Sequence, residues 1–330
     1  MLSSRSMGSS MVSHSQNLID QPYIDHRKKV WKRGAMGSAL IHLAIKRPLF
    51  QLPAYPGRDH PLGFGSPKQL QDFQLEVLAL CHPPLRSHRN IVKLLAWGLD
   101  YDPRLGDQVV NPISPILMVE HANCSLRELL ARARREIPIP ILVRRKLCFD
   151  VCNAVSVLHN CGIVHGDIKT DNILIFPAEK AERCCLAKLS DFGLSVGEEQ
   201  ANSSRPRSYS GLGTPGWQAP ELVHGSSVVK VEDLPKCDLY SLGLVLWSVI
   251  SGDGGCPLVA GGDRGQDTIK LASSFVNASD LEGPVKESIG EVLEQLLQSD
   301  PQKRESSLGD ICERLRVAPD ISPTSATEKW

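Results

Sequence analysis

The stretch Ile163-Val-His-Gly-Asp-Ile-Lys-Thr-Asp-Asn-Ile-Leu-Ile175, answered by Leu189-Ser-Asp-Phe-Gly-Leu194, decides the fold. In the first stretch an apolar strand leads to Asp167, with a lysine and an asparagine close behind it. In the second, another apolar strand leads to Asp191 at a Phe-Gly turn. Carboxylate and amide oxygens are ligands that Mg²⁺ prefers, and an ammonium group balances the charge of a phosphoryl group. The two stretches therefore indicate a site for a Mg²⁺–polyphosphate complex.

The two stretches occur in the order that is typical of the eukaryotic protein kinases, and the chain resembles that family. The resemblance implies transfer of the γ-phosphoryl group of ATP to a protein hydroxyl, with Mg²⁺ as the metal and Mn²⁺ as its substitute. It implies that Asp167 orients the attacking hydroxyl and that Lys169 neutralises charge on the transferring group. It assigns Asn172 and Asp191 as metal ligands. The lysine after the catalytic aspartate favours Ser/Thr over Tyr specificity.

The fold class implied by the resemblance is α+β, in the bilobal arrangement of the protein kinases. A small β-rich N-lobe with one main helix would cover residues 26–121, and a larger, mainly α-helical C-lobe would cover 122–317. A Ser-rich, low-complexity composition predicts a disordered leader at residues 1–25. Residues 318–330, rich in Pro, Ser and Thr, are expected to form a disordered tail.

The N-terminal part matches the family least well. Residues 39–46 form a strand pattern that ends in a lysine, and the resemblance assigns Lys46 to the α- and β-phosphates. The Gly-rich loop of the family is reduced to Gly34 and Gly37. Either the hairpin over the phosphates is short and irregular, or the first strands lie in residues 24–31. A hairpin of this kind would close poorly over ATP.

A helix and two strands are expected next. Residues 67–80 have a helical pattern, and the resemblance makes Glu76 the ion-pair partner of Lys46. A helical Glu on a solvated face is the simpler alternative. Residues 91–97 are predicted to form a strand, followed by a loop insertion at 100–115.

Residues 116–122 form a buried strand pattern that runs into a linker. In the kinase pattern this segment is the hinge, with Val119 as the gatekeeper. Backbone groups of Glu120 and Ala122 would then hold the adenine, and Leu174 would line the same site. The small Val119 side chain implies an open pocket behind the adenine.

The C-lobe is predicted to contain an activation segment over residues 191–221, from Asp-Phe-Gly to Ala-Pro-Glu. Within it, Thr214 matches the threonine that contacts the catalytic aspartate in Ser/Thr kinases. Asp238 would brace the backbone of the catalytic loop, although an N-terminal helix cap is an alternative role. The residues that the resemblance assigns to structural support are His165, Phe192, Glu221, Asp238 and Arg304, with Arg304 pairing with Glu221.

Two helices should frame the catalytic loop. Ser125 is a predicted N-cap for a helix over residues 126–136. Residues 141–161 show an amphipathic pattern whose apolar positions recur at helical spacing. These positions are Leu142, Leu147, Val151, Val155 and Leu158.

The triplet His165-Gly166-Asp167 departs from the usual His-Arg-Asp. His-Gly-Asp also occurs in small-molecule phosphotransferases, which generally lack the two motifs that bracket the activation segment, so a protein substrate is favoured. A pseudokinase scaffold is a second alternative, supported by the degenerate Gly-rich loop. Without an arginine at position 166, no guanidinium there can clamp a phosphorylated activation segment. Activity is therefore expected without obligatory phosphorylation of that segment.

Composition narrows the class of partner. Lys+Arg and Asp+Glu each count 37, so the formal net charge of zero gives no indication of a nucleic-acid or membrane partner. The ten cysteines lack the spacing of a zinc site, and no secretory signal is visible. Reduced thiols in a cytoplasmic or nuclear protein with Ser/Thr-containing protein substrates are the expectation.

Overall fold

The computed structural model describes residues 23–25, 29–31, 33–36, 39–48, 67–101, 113–177, 185–197, 209–223, 229–258, 268–281, 283–304 and 307–316. The expectations for Gly37, for most of the leader and for the tail at 318–330 lie outside these residues. The described residues form two units. One comprises described residues within 1–70 and 94–121, and the other comprises those within 71–93 and 122–330.

The smaller unit is built on a six-stranded antiparallel sheet with the order β1-β2-β4-β6-β5, in which β3 also pairs with β4. Its strands are β1 (Tyr23–Asp25), β2 (Lys29–Trp31), β3 (Arg33–Met36), β4 (Ala39–Pro48), β5 (Leu94–Tyr101) and β6 (Ile113–Glu120). The antiparallel pairing of β4 with β6 places Lys46 opposite Leu117 and Ala44 opposite Val119. Apolar residues in β4 and β6 are buried and supply the core of this unit.

The irregular N-terminal hairpin is present together with earlier strands. β3 and β4 form a short hairpin whose register shifts between Gly34 and Met36. β1 and β2 lie before it, so the two alternatives for this region are both realised. β1 begins at Tyr23, so residues 23–25 of the predicted leader form a strand instead.

Two strand boundaries differ from the sequence-based expectation. The strand predicted at residues 91–97 begins only at Leu94 and continues to Tyr101, into the predicted loop insertion. Ile91 instead forms an isolated parallel bridge with Leu189, and the Val92 N–H donates to the Leu189 carbonyl at 2.9 Å. Both side chains are buried in the larger unit, which explains why this apolar segment does not join the sheet. The strand predicted at 116–122 begins earlier, at Ile113, and ends at Glu120.

The larger unit is mainly helical. Its helices are α1 (Pro67–Cys81, of which the first residues belong to the smaller unit), α2 (Pro83–Ser87), α3 (Leu126–Arg135), α4 (Ile141–Asn160), α5 (Pro220–Val223), α6 (Leu234–Ser251), α7 (Thr268–Ala278), α8 (Gly283–Leu296) and α9 (Leu308–Leu315). A three-stranded sheet has the order β7-β8-β9, formed by β7 (Cys124–Ser125), β8 (Ile173–Phe176) and β9 (Leu186–Leu189). The one long helix expected in the smaller unit therefore belongs mostly to the larger one.

Two helices form the core of the larger unit. α6 is apolar on all sides, and it is buried along almost its whole length, as expected for a central helix. α4 packs against α6, α9 and β9. Four of its five predicted apolar positions are buried, whereas Leu142 is 37% exposed and the next residue, Val143, is buried in its place.

The start of α3 is fixed by a capping box, as the sequence predicts. Ser125 Oγ accepts from the Glu128 N–H at 3.2 Å, and the Glu128 carboxylate accepts from the Ser125 N–H at 3.0 Å. Each contact satisfies an amide that has no partner within the helix. The start of α3 is thereby fixed next to β7 and β8.

Candidate active site

The catalytic loop predicted from the sequence runs from a single bridge rather than from a strand. Val164 forms an isolated antiparallel bridge with Val196, and the chain then turns through His165 to Lys169. A 3-10 turn, Thr170–Asn172, leads directly into β8. The second motif follows β9, which ends two residues before Asp191. The sheet and the bridge together hold both motifs in one unit.

Asp167 lies at the centre of a network of polar side chains. Thr214 Oγ1 donates to Asp167 Oδ1 at 2.7 Å, and the Lys169 ammonium contacts Asp167 Oδ2. Lys169 Nζ also donates to Thr214 Oγ1 at 2.5 Å. Asn172 Nδ2 donates to the Asp167 carbonyl at 2.8 Å and to Asp167 Oδ2 at 3.0 Å. The carboxylate is thus held in one orientation by three side chains.

The charge of Asp167 follows from this network. Burial raises the pKa of the carboxyl group, but the Lys169 ammonium and the hydrogen bonds from Lys169 and Thr214 outweigh it. The net pKa of Asp167 is lower than its ordinary value. Asp167 is therefore a carboxylate at neutral pH and can accept a hydrogen bond from an incoming hydroxyl.

His165 is a buried, neutral imidazole that supports the catalytic loop. Its side chain is fully buried, and burial lowers its pKa. Nδ1 accepts from the Asp167 N–H at 3.2 Å, so Nε2 carries the hydrogen that is donated to the Ser190 carbonyl at 3.0 Å. The ring also packs against Phe192, with centroids 5.1 Å apart. His165 thereby connects the catalytic loop to the segment that carries Asp191.

Asp238 braces the backbone of the catalytic loop. Its carboxylate accepts from the His165 N–H at 2.7 Å and from the Gly166 N–H at 3.0 Å. The same carboxylate lies 3.0 Å from His159 Nε2 at the end of α4. Asp238 is 2% exposed and lies inside α6, after the first turn, so it is not the helix cap that the alternative interpretation suggested.

Gly166 has a structural role that the sequence interpretation did not include. Its φ is +76°, and a Cβ at this position would lie 2.7 Å from the Leu194 carbonyl oxygen. Gly213 has a φ of +90°, and a Cβ there would lie 2.7 Å from the Gly166 carbonyl oxygen. Glycine tolerates both the left-handed backbone and the close approach. The catalytic loop and the activation segment therefore pack backbone against backbone.

Asp191 adopts a strained backbone conformation. Its φ is 70°, and it is the one non-glycine residue with positive φ in the described part of the chain. Such strain persists where the surrounding structure fixes the residue, and it is concentrated at functional sites. Here Ser190 fixes the preceding peptide, because its N–H and Oγ donate to the Asn172 carbonyl at 2.9 and 2.8 Å. The two predicted metal ligands are thus on segments that are hydrogen-bonded to each other.

The predicted contact between Glu221 and Arg304 is present and is bidentate. Arg304 Nη2 donates to Glu221 Oε2 at 2.8 Å, and Nη1 donates to Oε1 at 2.5 Å. The Arg304 side chain is completely buried and also donates to the carbonyls of Gln298 and Lys236. Burial raises the pKa of Glu221, but the guanidinium outweighs it, so the pKa of Glu221 is lowered overall. This pair fixes the end of the activation segment to the start of α6.

Comparison with known proteins agrees with this geometry. Residues 69–315 match the family profile described as "Protein kinase domain". The chain belongs to the protein kinase family. It is 44% identical over 104 residues to "Serine/threonine-protein kinase chk-2" of Caenorhabditis elegans, covering 32% of this chain and 19% of that protein. It is 29% identical over 247 residues to "Serine/threonine-protein kinase/endoribonuclease IRE1" of Oryza sativa subsp. japonica, covering 68% of this chain and 26% of that protein.

The matched segments cover only a small part of the length of each relative. "Serine/threonine-protein kinase PAK 4" of Homo sapiens is 36% identical over 107 residues, which are 32% of this chain and 16% of that protein. The matched region carries the domain that the motifs predicted. The fold of the kinase is the predicted one, with a small β-sheet unit and a larger, mainly helical unit.

The predicted nucleotide-binding residues are placed as follows. Lys46 lies in β4 and is 6% exposed, and Glu76 lies in α1 and is 5% exposed. A Glu side chain as deeply buried as Glu76 does not lie on a solvated helix face. The ion pair between Lys46 and Glu76 stays a prediction. Gly34 lies in β3, and Gly37 is outside the described residues.

Of the predicted hinge residues, two lie at the end of β6 and Ala122 follows it. Val119 is buried in β6, and Glu120 is the last residue of that strand. Glu120, Ala122 and Leu174 are all half-buried. The adenine-binding role of these residues stays a prediction.

Sequence reasoning missed two residues in the larger unit. Cys237 Sγ donates to Glu221 Oε1 at 3.1 Å, and burial together with this carboxylate raises the pKa of the thiol. The protonated thiol therefore acts as a donor beside the Arg304 pair. Arg127 of α3 forms an ion pair with Asp171 of the catalytic loop. Neither contact has a sequence signal, because each joins residues that are distant in the chain and belong to no shared motif.

No helix within the described residues is long and apolar enough to cross a lipid bilayer.

Proposed function

We propose that this kinase transfers the γ-phosphoryl group of ATP to Ser or Thr hydroxyls of protein substrates. The observation that carries the proposal is the contact of Asp167 with both Lys169 and Thr214. Asp167 accepts the hydrogen bond of the acceptor hydroxyl and takes up its proton as the oxygen–phosphorus bond forms. Lys169 balances charge on the transferring group while the bond between the γ-phosphorus and the bridging oxygen of ADP breaks.

The family uses ATP with Mg²⁺, and the residues present are suited to such a complex. The amide NH₂ group of Asn172 donates to Asp167, so the amide oxygen is directed away from Asp167. That oxygen would serve as a neutral metal ligand. Asp191 would supply an anionic ligand. The described residues contain no cluster of three or more His, Cys, Asp or Glu side chains that would hold a metal alone. Two protein ligands suit Mg²⁺, which completes its coordination with phosphate oxygens and water.

The remaining nucleotide contacts are assigned by analogy with the family. Lys46 would contact the α- and β-phosphates, and Glu76 would orient Lys46. Backbone groups of Glu120 and Ala122 would hold the adenine. When bound, Mg²⁺ neutralises charge on the phosphates, and the chain's own contribution is to position the hydroxyl and the lysine.

The test is phosphoryl transfer from labelled ATP–Mg²⁺ to the protein itself and to matched peptides that carry Ser, Thr or Tyr. We expect label on Ser and Thr, and its loss in Asp167→Asn. Asp310→Asn is the matched control, because Asp310 is exposed in the first turn of α9 and should leave transfer unchanged. Label on Tyr, or equal transfer by Asp167→Asn, contradicts the proposal.

Two alternatives are less well supported. A pseudokinase scaffold would not need the carboxylate, ammonium and hydroxyl that meet at Asp167. A small-molecule phosphotransferase is disfavoured because Thr214 belongs to an activation segment that ends at Glu221 and is anchored by Arg304. Phosphorylation of a small alcohol but of no peptide would revive the second alternative.

We further propose that activity does not require phosphorylation of the activation segment. Gly166 has no side chain to bind a phosphate, and Asp238 already holds its backbone. Single Ala substitutions at Ser203, Ser204, Ser208 and Ser210 should each retain transfer to a peptide. The first three lie outside the described residues, and Ser210 lies in an exposed turn. A loss in Thr214→Ala is discounted, because the Thr214 hydroxyl also contacts Asp167. An essential phosphorylation site among the four serines would refute this proposal.

A further inference from the structure

An arginine is paired with an acidic residue of the catalytic loop. Arg127, in the first turn of α3, places Nη1 3.3 Å from Asp171 Oδ1. α3 packs on the 3-10 turn that contains Asp171. Arg127 is 50% exposed and Asp171 is 18% exposed. The guanidinium is therefore the member of the pair that a molecule approaching from solvent meets.

The pair lies close in the chain to Asp167, where we place the acceptor hydroxyl. Asp171 follows Asp167 by four residues, and four residues span at most about 14 Å even when fully extended. An extended peptide covers the same distance with about four residues on one side of its acceptor. A substrate that extends from Asp167 toward α3 can therefore bring a side chain of that interval to Arg127.

The charge on this surface is set mainly by arginines. The exposed basic side chains of α3 are Arg127, Arg132, Arg134 and Arg135. Arg134 pairs at 2.9 Å with Asp253, and both of these side chains are more than half exposed. The helix also carries Glu128, which is engaged in the capping box, and is followed by the exposed Glu136. Arg127 is the arginine of this helix that contacts the catalytic loop.

A half-exposed guanidinium has further capacity to bind an anion. Arginine has five N–H donors, and a carboxylate accepts two of them in a bidentate arrangement. The contact with Asp171 is long and involves one of its nitrogens. A substrate carboxylate can thus bind the outward side of Arg127. A substrate lysine or arginine meets like charge and cannot reach Asp171 without displacing its partner.

We propose that Arg127 determines substrate specificity in this kinase. It selects proteins with a carboxylate side chain within about four residues of the Ser/Thr acceptor, and it rejects basic side chains there. The inference rests on the proposed function for its setting at Asp167. It adds the substrate class, an acidic peptide.

The test compares peptides that share one acceptor serine and carry Glu, Ala or Lys at the flanking positions. For the wild type we expect kcat/KM to be highest for the Glu peptides. Arg127→Ala should lower the Glu-to-Lys ratio of kcat/KM about tenfold, as expected for loss of a charged contact and exposure of Asp171. The double variant Arg127→Ala, Asp171→Ala should bring the ratio close to one.

The matched control is Arg135→Ala. Arg135 lies on the same helix, and Nε donates to the Ala131 carbonyl of that helix at 3.1 Å. Its removal takes away the same charge and should leave the Glu-to-Lys ratio within twofold. Equal effects of Arg127→Ala and Arg135→Ala, or a wild-type preference for Lys peptides, would overturn the inference.

Binding separates this inference from the proposed activity. Fluorescence anisotropy of the same labelled peptides, measured with Asp167→Asn and a non-hydrolysable ATP analogue, needs no catalysis. Preferential binding of Glu peptides that depends on Arg127, without any transfer by the wild type, would support the specificity role and refute the proposed activity. Transfer by the wild type without any dependence on Arg127 would support the proposed activity and refute the specificity role.

Discussion

Replacement of Asp238 by Asn tests how the catalytic loop is held. The substitution keeps the shape of the side chain but removes its charge and replaces one acceptor oxygen with a donor. Two backbone N–H groups, of His165 and Gly166, point at the carboxylate from 2.7 and 3.0 Å. Asn can accept from one of them, and its NH₂ group then faces the other. One charge-assisted hydrogen bond is lost and one buried N–H is left without an acceptor.

The magnitude follows from these two losses. A hydrogen bond to a charged group contributes about 1.5–3 kcal/mol, and an unsatisfied buried donor costs about 1–3 kcal/mol. We therefore expect Asp238→Asn to lower the free energy of unfolding by about 2.5–6 kcal/mol. The Tm should fall by about 5–10 °C. Because Asp167 follows Gly166 directly, kcat should also fall by about 10²-fold through misplacement of the loop.

Urea denaturation, thermal unfolding and peptide phosphorylation measure the three effects. Asp233→Asn is the control, since Asp233 precedes α6 and accepts one exposed hydrogen bond from Gln302 at 2.9 Å, which Asn can also accept. It should change stability by less than about 0.5 kcal/mol. If Asp238→Asn changed stability no more than this control and left kcat within twofold, the proposed bracing of the loop would be refuted.

Three further substitutions have expected outcomes. Glu221→Gln leaves Arg304 buried without a counter-charge and should cost about 3–5 kcal/mol at pH 7. The folded-state pKa of Glu221 is lowered, so this stabilisation is present above the unfolded-state value and is lost as the pH falls through the folded-state value. Gly166→Ala, with φ at +76° and a carbonyl oxygen 2.7 Å from the new Cβ, should cost at least about 2 kcal/mol. Thr214→Val removes the donor to Asp167 and should lower kcat about tenfold, with the KM for ATP unchanged.

Each of these has a measurement and a control. For Glu221, urea unfolding of both proteins should show a stability difference that shrinks as the pH falls below the unfolded-state pKa of Glu, and a pH-independent difference would contradict the assignment. For Gly166, the control is Gly255→Ala, because no atom of the described residues lies within 4 Å of the new Cβ and φ is not left-handed. For Thr214, the Ser variant keeps the hydroxyl and should retain the wild-type kcat. Equal loss in the Ser and Val variants would exclude a role for that hydroxyl.

The catalytic loop could be predicted because its chemistry is local in the sequence. Asp167, Lys169 and Asn172 lie within six consecutive residues. Their types and spacing alone therefore place them together. Thr214 and Arg304 are far from their partners, and only their motifs made those contacts predictable. The two helices around the loop were predictable for a physical reason, since a capping box and a helical apolar period fix their starts and faces.

Other features depend on tertiary contacts that no local pattern records. The apolar pair at Ile91 and Val92 has strand character, but its backbone pairs with Leu189 in the larger unit. The apolar period places Leu142 on the apolar face of its helix, but Val143 of the same turn is the buried residue and Leu142 is 37% exposed. Gly166 could be recognised as a missing arginine, whereas its left-handed φ and its approach to Leu194 depend on how two distant segments pack.

The most direct test of the central claim is single-turnover phosphoryl transfer by the wild type and by Asp167→Asn, with ATP–Mg²⁺ affinity measured in parallel. A positioned base contributes about 10²–10⁴-fold to proton transfer in such a step. The account predicts a fall in the transfer rate of at least about 10²-fold, with the Kd for ATP–Mg²⁺ changed by less than threefold. Transfer by the variant at the wild-type rate would contradict it.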